Sequence, residues 1–291
     1  MENLRGSILM VIAMAGFALE DMFVKSLSTR LAVGEVLALL GAGGTVIFAA
    51  LAIWRRDRLF SGDLFSRPVI VRNLGELVGT LAFVSAVAFT PLAQASAILQ
   101  ATPLAVTLGA ALFLGEKVGW RRWSAIMIGF AGVMIVIRPG TEGFSALSLL
   151  AVVAVIGLAV RDVATRRVPK TIASMQLATY GFATIIPAGL VMTALSPAGF
   201  VPPSPLDLAQ IAGALLFGTG GYYALIAAMR LGEVSVITPF RYTRLIFALI
   251  IGWAVFAESV DRYTLIGGAV IVGSGLYTLW RQARLRAQLR R

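Results

Sequence analysis

The chain has 291 residues, 58% of them hydrophobic and 13% charged, with a mean hydropathy of +0.88. A soluble domain carries about 25% charged residues, so this composition excludes a soluble fold and points to an all-α integral membrane protein. Cysteine and histidine are absent, which removes disulfides, thiolate nucleophiles, imidazole bases and most transition-metal sites, and the net charge of +11 comes with no nucleic-acid motif.

A membrane span needs roughly 20 mostly apolar residues. Taken in chain order, ten segments qualify: 6–26, 35–54, 71–89, 95–114, 122–138, 146–165, 172–195, 208–229, 235–256 and 263–281. Within the first, Ala13-Met14-Ala15 resembles a signal-peptide cleavage site, but the apolar run continues past it behind a single Arg5, which predicts a retained helix. Length and punctuation separate the others. Arg55-Arg56-Asp57-Arg58, Thr90-Pro91, Gly115-Glu116-Lys117, Arg138-Pro139-Gly140, Arg166-Arg167-Val168-Pro169-Lys170 and Pro202-Pro203-Ser204-Pro205 are the breaks.

Lys and Arg distribute unevenly over the resulting loops. With the N-terminus inside, eighteen fall on the cytoplasmic side; only Lys25, Arg30, Arg138 and Arg262 fall opposite, and Arg161, Arg241 and Arg244 lie within spans. The bias predicts both termini in the cytoplasm of a bacterial inner membrane.

The chain also repeats itself. Gly16-Phe17-Ala18-Leu19-Glu20-Asp21 followed by Lys25 returns, about 141 positions on, as Gly157-Leu158-Ala159-Val160-Arg161-Asp162 followed by Arg166. Leu92-Ala93-Gln94-Ala95-Ser96-Ala97-Ile98 returns as Leu231-Gly232-Glu233-Val234-Ser235-Val236-Ile237, and Glu116 as Glu258. Five spans per unit is an odd number, so the two units, 1–140 and 141–291, must point in opposite directions, the second ending in a short basic cytoplasmic tail.

These features resemble the drug/metabolite transporter superfamily in its EamA-type ten-helix form. The likeness is carried by Pro103 with Gly115-Glu116, by Gly129 and Gly132 with Arg138-Pro139-Gly140, and by Pro239-Phe240-Arg241-Tyr242-Thr243-Arg244 with Glu258. It implies two bundles of five helices around a central cavity, lined chiefly by helices one, three, four, six, eight and nine. Within the superfamily the chain looks like a YddG-type exporter of amino acids and metabolites.

Candidate transport residues follow from cost, since an ionisable group inside the bilayer needs a partner or a wet cavity. Asp21 and Lys25 are four apart, as are Asp162 and Arg166, within intrahelical pairing distance. They read either as charged helix ends or as gates, one per face. Arg244 lies about 13 Å into its span at 1.5 Å per residue; its planar fork suits a substrate carboxylate or an internal partner among Glu76, Asp162 and Glu20. Glu76, Asp162 or Glu20 could exchange a proton if burial raised its pKa toward neutrality, and uncoupled movement is the alternative. Tyr222, Tyr223, Tyr242 and Phe83 offer an aromatic wall, Gln100 an amide contact, and Pro103 and Pro239 hinges.

The combined expectation is a secondary transporter moving small organic solutes, aromatic or hydrophobic amino acids first among them, outward by alternating access. A broad drug exporter, or a carrier of a nucleoside-type metabolite such as S-adenosylmethionine, is the alternative. An ion channel and an intramembrane enzyme fit less well, since no filter loop, Ser–His pair or close aspartate pair is apparent. The expected partners are a small-molecule substrate and the lipid bilayer, with no nucleic acid, no cofactor and no metal, in a monomer or weak dimer.

Overall fold

The computed structural model describes residues 2–116, 119–141, 144–169, 171–231 and 234–289. Its helices are α1 (Glu2–Leu27), α2 (Val33–Trp54), α3 (Arg67–Phe89), α4 (Leu92–Leu99), α5 (Thr102–Phe113), α6 (Trp120–Ile137), α7 (Ser148–Thr165), α8 (Ser174–Leu195), α9 (Pro205–Leu231), α10 (Val234–Ile237), α11 (Thr243–Phe256) and α12 (Arg262–Leu289). Ten membrane-length apolar spans result among the described residues, the fourth built from α4 and α5 and the ninth from a 3₁₀ turn (Thr238–Tyr242) and α11. Lys117, Lys170, Gly232, Glu233, Arg290 and Arg291, which entered the charge bias or the repeat, lie outside the described residues.

The span ends fall within a few residues of those expected, the tenth span running from Arg262 to Arg281. The tail expected after residue 281 continues α12 to Leu289. Its Ala, Leu, Gln and Arg residues are strong helix formers, and no glycine or proline stops them.

Proline explains the broken fourth span. Pro103 has no N–H and its ring crowds the carbonyl one turn back. That carbonyl, on Leu99, takes a hydrogen bond from the Thr102 hydroxyl at 2.6 Å instead. In the ninth span the Thr243 hydroxyl donates to the Phe240 carbonyl at 2.7 Å, where the 3₁₀ turn that carries Pro239 gives way to α11.

The most extensive helix pairings all join the first half of the chain to the second: α1 with α9, α2 with α8, α3 with α7 and α6 with α12. The halves therefore interleave, each of these helices packing chiefly on one from the other half. Glycine permits this closeness, as between α3 and α7, where a Cβ on Gly157 would sit 2.5 Å from the Gly79 nitrogen. Small buried residues of α4, Ala95 and Ala97 among them, form the middle of the core. Large apolar side chains such as Val46, Trp54, Ile128 and Trp253 are exposed, as a bilayer-facing surface requires.

The two ends of the molecule differ. At the end carrying Lys25 (the Lys25 face), α4 packs on α11 and α1. At the opposite end (the Arg166 face), no contact of comparable extent joins α5 to α10 or to residues 238–242 among the described residues. The α6–α12 crossing does not share this contrast: a Cβ on Gly132 would lie 2.9 Å from the Gly267 carbonyl, and one on Gly129 would lie 2.7 Å from the Ser274 hydroxyl, so the helices stay close on both sides of the crossing. The parting at the Arg166 face is between α5 and the start of the ninth span.

Candidate functional site

The 3₁₀ turn that starts the ninth span sets Arg244 in the first turn of α11, facing α1. Its fork grips Asp21: Nε donates to Oδ2 at 3.1 Å, and Nη2 to Oδ1 at 2.8 Å and Oδ2 at 2.7 Å. The guanidinium lies over the Phe17 and Phe83 rings, 5.4 and 5.2 Å from their centroids. The internal partner expected among Glu76, Asp162 and Glu20 is thus Asp21. A buried carboxylate needs several donors, and the planar fork supplies them to both of its oxygens at once.

Lys25 consequently does not pair with Asp21 four residues back. Its ammonium meets Glu258 at 2.9 Å and donates to the carbonyls of Thr90 at 2.6 Å and Val87 at 3.3 Å. Glu258 also accepts the Leu92 N–H at 2.8 Å, so the pair ties α1, the end of α11 and the α3–α4 turn together. Arg166 likewise leaves Asp162 and pairs with Glu116 beyond α5. The two bridges occupy matching positions in the two halves. Both are present at once, so parting of the Arg166 face needs neither to break.

A second ionic group lies between α3 and α7. Glu76 accepts from Arg72 at 2.8 Å and from Arg161 at 3.1 Å, and Arg161 Nε holds Asp162 at 2.8 Å. Arg72 also donates to the Leu177 carbonyl at 3.0 Å. Two carboxylates meet two guanidinia, so the charges balance without a further ion, although the buried Arg72 Nε has no hydrogen-bond partner among the described residues.

Glu20 and Arg241 differ from all of these, because neither makes a side-chain hydrogen bond or ion pair among the described residues. Glu20 faces Gly218 of α9, where a Cβ would lie 2.6 Å from its carboxylate. Comparing the halves is informative here. Arg161 matches Glu20 in the repeat, and Glu76 matches Gly218 because Gly157 meets Gly75 and Gly79 of α3 as Gly16 meets Phe217 and Gly221 of α9. One half holds an Arg161–Glu76 pair; the other holds a carboxylate against glycine.

Gln100 donates to the Tyr242 carbonyl at 3.1 Å, joining the broken fourth span to the broken ninth, with Pro103 and Pro239 beside the two breaks. Tyr242 is buried with its hydroxyl unpartnered. Tyr222 packs edge-on against Phe48, 5.1 Å between centroids, in a cluster with α2 and α8. Tyr223 stands apart, half-exposed with Arg55 over its ring. Among the described residues no group of three Asp or Glu could hold a metal ion.

Arg161, Glu116 and Glu258 were not among the expected site residues. The repeat itself carried the signal for Arg161, which stands where the first unit has Glu20. The two glutamates also stood in matching positions, but nothing in their spacing tied them to Lys25 and Arg166.

Relatives span nearly the full chain. The chain is 28% identical over 285 residues to a riboflavin transporter of Rhizobium johnstonii, covering 96% of this chain and 92% of that protein. It is 23% identical to an S-adenosylmethionine uptake transporter of Rickettsia felis (94% and 92% covered) and 26% identical to the pseudopaline exporter CntI of Pseudomonas aeruginosa (92% and 93%). Its fold is similar to that of a crystal structure at a TM-score of 0.60 and 20% identity, covering 96% of this chain and 99% of that one. The EamA-like transporter model matches twice, over residues 4–138 and 146–280, and the chain belongs to that family of small-solute membrane transporters.

Proposed function

We propose that the chain moves small organic solutes carrying a cationic and an anionic group, amino acids and their derivatives first among them, by alternating access between the inverted units 1–140 and 141–291. The observation that carries this reading is the carboxylate of Glu20 facing Gly218, where the matching place in the other half is filled by an ion pair. An ammonium beside Glu20 would restore the missing partner. Arg241, whose side chain makes no bond among the described residues, supplies a fork for a carboxylate. Arg244 cancels against Asp21 and presents its Phe17 and Phe83 flanks to an apolar or aromatic group.

The closed Lys25 face and the parted Arg166 face support loading from the side where most Lys and Arg lie. By the charge bias that side is cytoplasmic, with both termini on it, and transport is outward. A sulfonium metabolite is the second reading, favoured by the same free carboxylate and by the S-adenosylmethionine transporters among the relatives.

Counterflow in proteoliposomes tests both. Vesicles loaded with a labelled aromatic amino acid are challenged with unlabelled amino acids, S-adenosylmethionine and riboflavin. Exchange driven by amino acids and lost in Glu20→Gln is the expected result. Exchange driven by riboflavin alone, with Glu20→Gln fully active, would overturn the reading.

A further inference from the structure

Apart from the ionic groups around Asp21 and Glu76, a groove of about 720 Å³ lies along α5, between core residues such as Ile98 and exposed ones such as Leu112 and Ile156. Its walls come from α3, α6 and α7, and its deep end is at Ile98 and Ala101, where the fourth span breaks. Between these limits the lining is apolar, with Leu108, Val133 and Val155 typical of it. Charge appears only at the mouth on the Arg166 face, where Arg67 opens α3 and Arg167 follows α7. Both arginines are exposed.

Length and charge together specify an occupant. From Thr102 to Phe113, α5 is 12 residues long, about 18 Å at 1.5 Å per residue. Half of a hydrocarbon core of about 30 Å is about 15 Å. The groove thus reaches from the headgroup level to the bilayer centre, the extent of one acyl chain in one leaflet. Two exposed guanidinia at headgroup level complement a phosphate whose charge the lipid does not itself cancel.

We propose that this groove is a binding site for an anionic phospholipid of the leaflet on the Arg166 face. One acyl chain lies along α5 and the phosphate rests between Arg67 and Arg167. A zwitterionic lipid of the same chain length fits the apolar part equally but gains less at the mouth.

The test is retention of phosphatidylglycerol against phosphatidylcholine of identical chains, measured by native mass spectrometry of the full chain released from detergent. About 1 kcal/mol per basic residue near the surface corresponds to about fivefold per arginine and roughly 30-fold for the pair. Arg67→Gln/Arg167→Gln should lose its preference for phosphatidylglycerol by that factor, and Arg67→Lys/Arg167→Lys should keep most of it. Arg56→Gln/Arg58→Gln removes two charges outside the groove and should change little. Ala105→Phe, which fills the apolar part, should lower retention of both lipids. Equal retention of the two lipids by the unmodified chain would overturn the proposal, as would equal losses from the groove pair and the control pair.

Discussion

Gly157 of α7 and Gly273 of α12 both sit inside membrane spans, yet alanine should act oppositely at the two sites. A Cβ on Gly157 would lie 2.5 Å from the Gly79 nitrogen, 2.7 Å from the Gly79 Cα and 3.0 Å from the Gly75 carbonyl oxygen. The obstacle is the backbone of α3, which cannot rotate away as a side chain can. Overpacking of this kind costs about 1–3 kcal/mol. Relief requires α3 and α7 to move apart, which lengthens the Arg161–Glu76 bridge between them, now 3.1 Å. Gly273 is exposed, and a Cβ there meets nothing within 4 Å. Replacing a helical glycine at such a place gains about 0.5–1 kcal/mol. Gly157→Ala should therefore lower stability and Gly273→Ala raise it slightly, a separation of about 1.5–4 kcal/mol between the two variants. Denaturation of both beside the unmodified chain, in one detergent, measures it. Equal shifts at the two sites, or a stabilised Gly157→Ala, would refute the reasoning.

Other expectations follow from the ionic contacts. Asp21→Asn strips the partner from a mostly buried Arg244 and should cost about 3–5 kcal/mol, whereas Asp21→Leu/Arg244→Met should recover much of the thermal stability without recovering transport; an equal melting temperature in single and double variants would contradict this. Lys25→Gln should destabilise by about 1.5–3 kcal/mol because a largely buried ammonium serves one carboxylate and two carbonyls. Arg166→Gln, whose bridge is nearly half exposed, should cost less than about 1 kcal/mol, and denaturation of the two variants side by side checks the order. Burial pushes the Asp261 carboxyl up, but the Thr264 hydroxyl, the Thr264 and Tyr263 amides and Arg138 together hold it below its ordinary value. Its contribution is full above the unfolded-state pKa and disappears as pH falls through the lowered folded-state value. Asp261→Asn should accordingly lower the melting temperature at neutral pH and converge with the unmodified chain in strong acid.

The spans were legible because the bilayer imposes their length and polarity, and Pro103 marked the site of the fourth span's break. Ionic partners were less legible. Four-residue spacing suggested Asp21 with Lys25 and Asp162 with Arg166, but in an interleaved fold the nearest opposite charge comes from a helix far along the chain. Arg244 is 223 positions from Asp21, and only the packing of α11 on α1 brings them together. Asp162 is held instead by its neighbour Arg161, because Arg161 turns toward Glu76 on α3. No local pattern encodes such pairings. Duplication gave partial help, since comparing the units exposes the places where one half carries a charge that the other lacks, as at Glu76 and Gly218.

Gln100 and Tyr242 are themselves counterparts, about 142 positions apart, and the amide of one bonds the carbonyl of the other. A contact between counterparts maps onto the same two residues when the units trade roles. It can persist through a whole cycle while the contacts at either face are made and lost. The junction of the two broken spans then serves as a pivot: both ends of the molecule swing about a point whose own separation stays fixed, and a distance probe placed there would stay silent while probes at the faces respond.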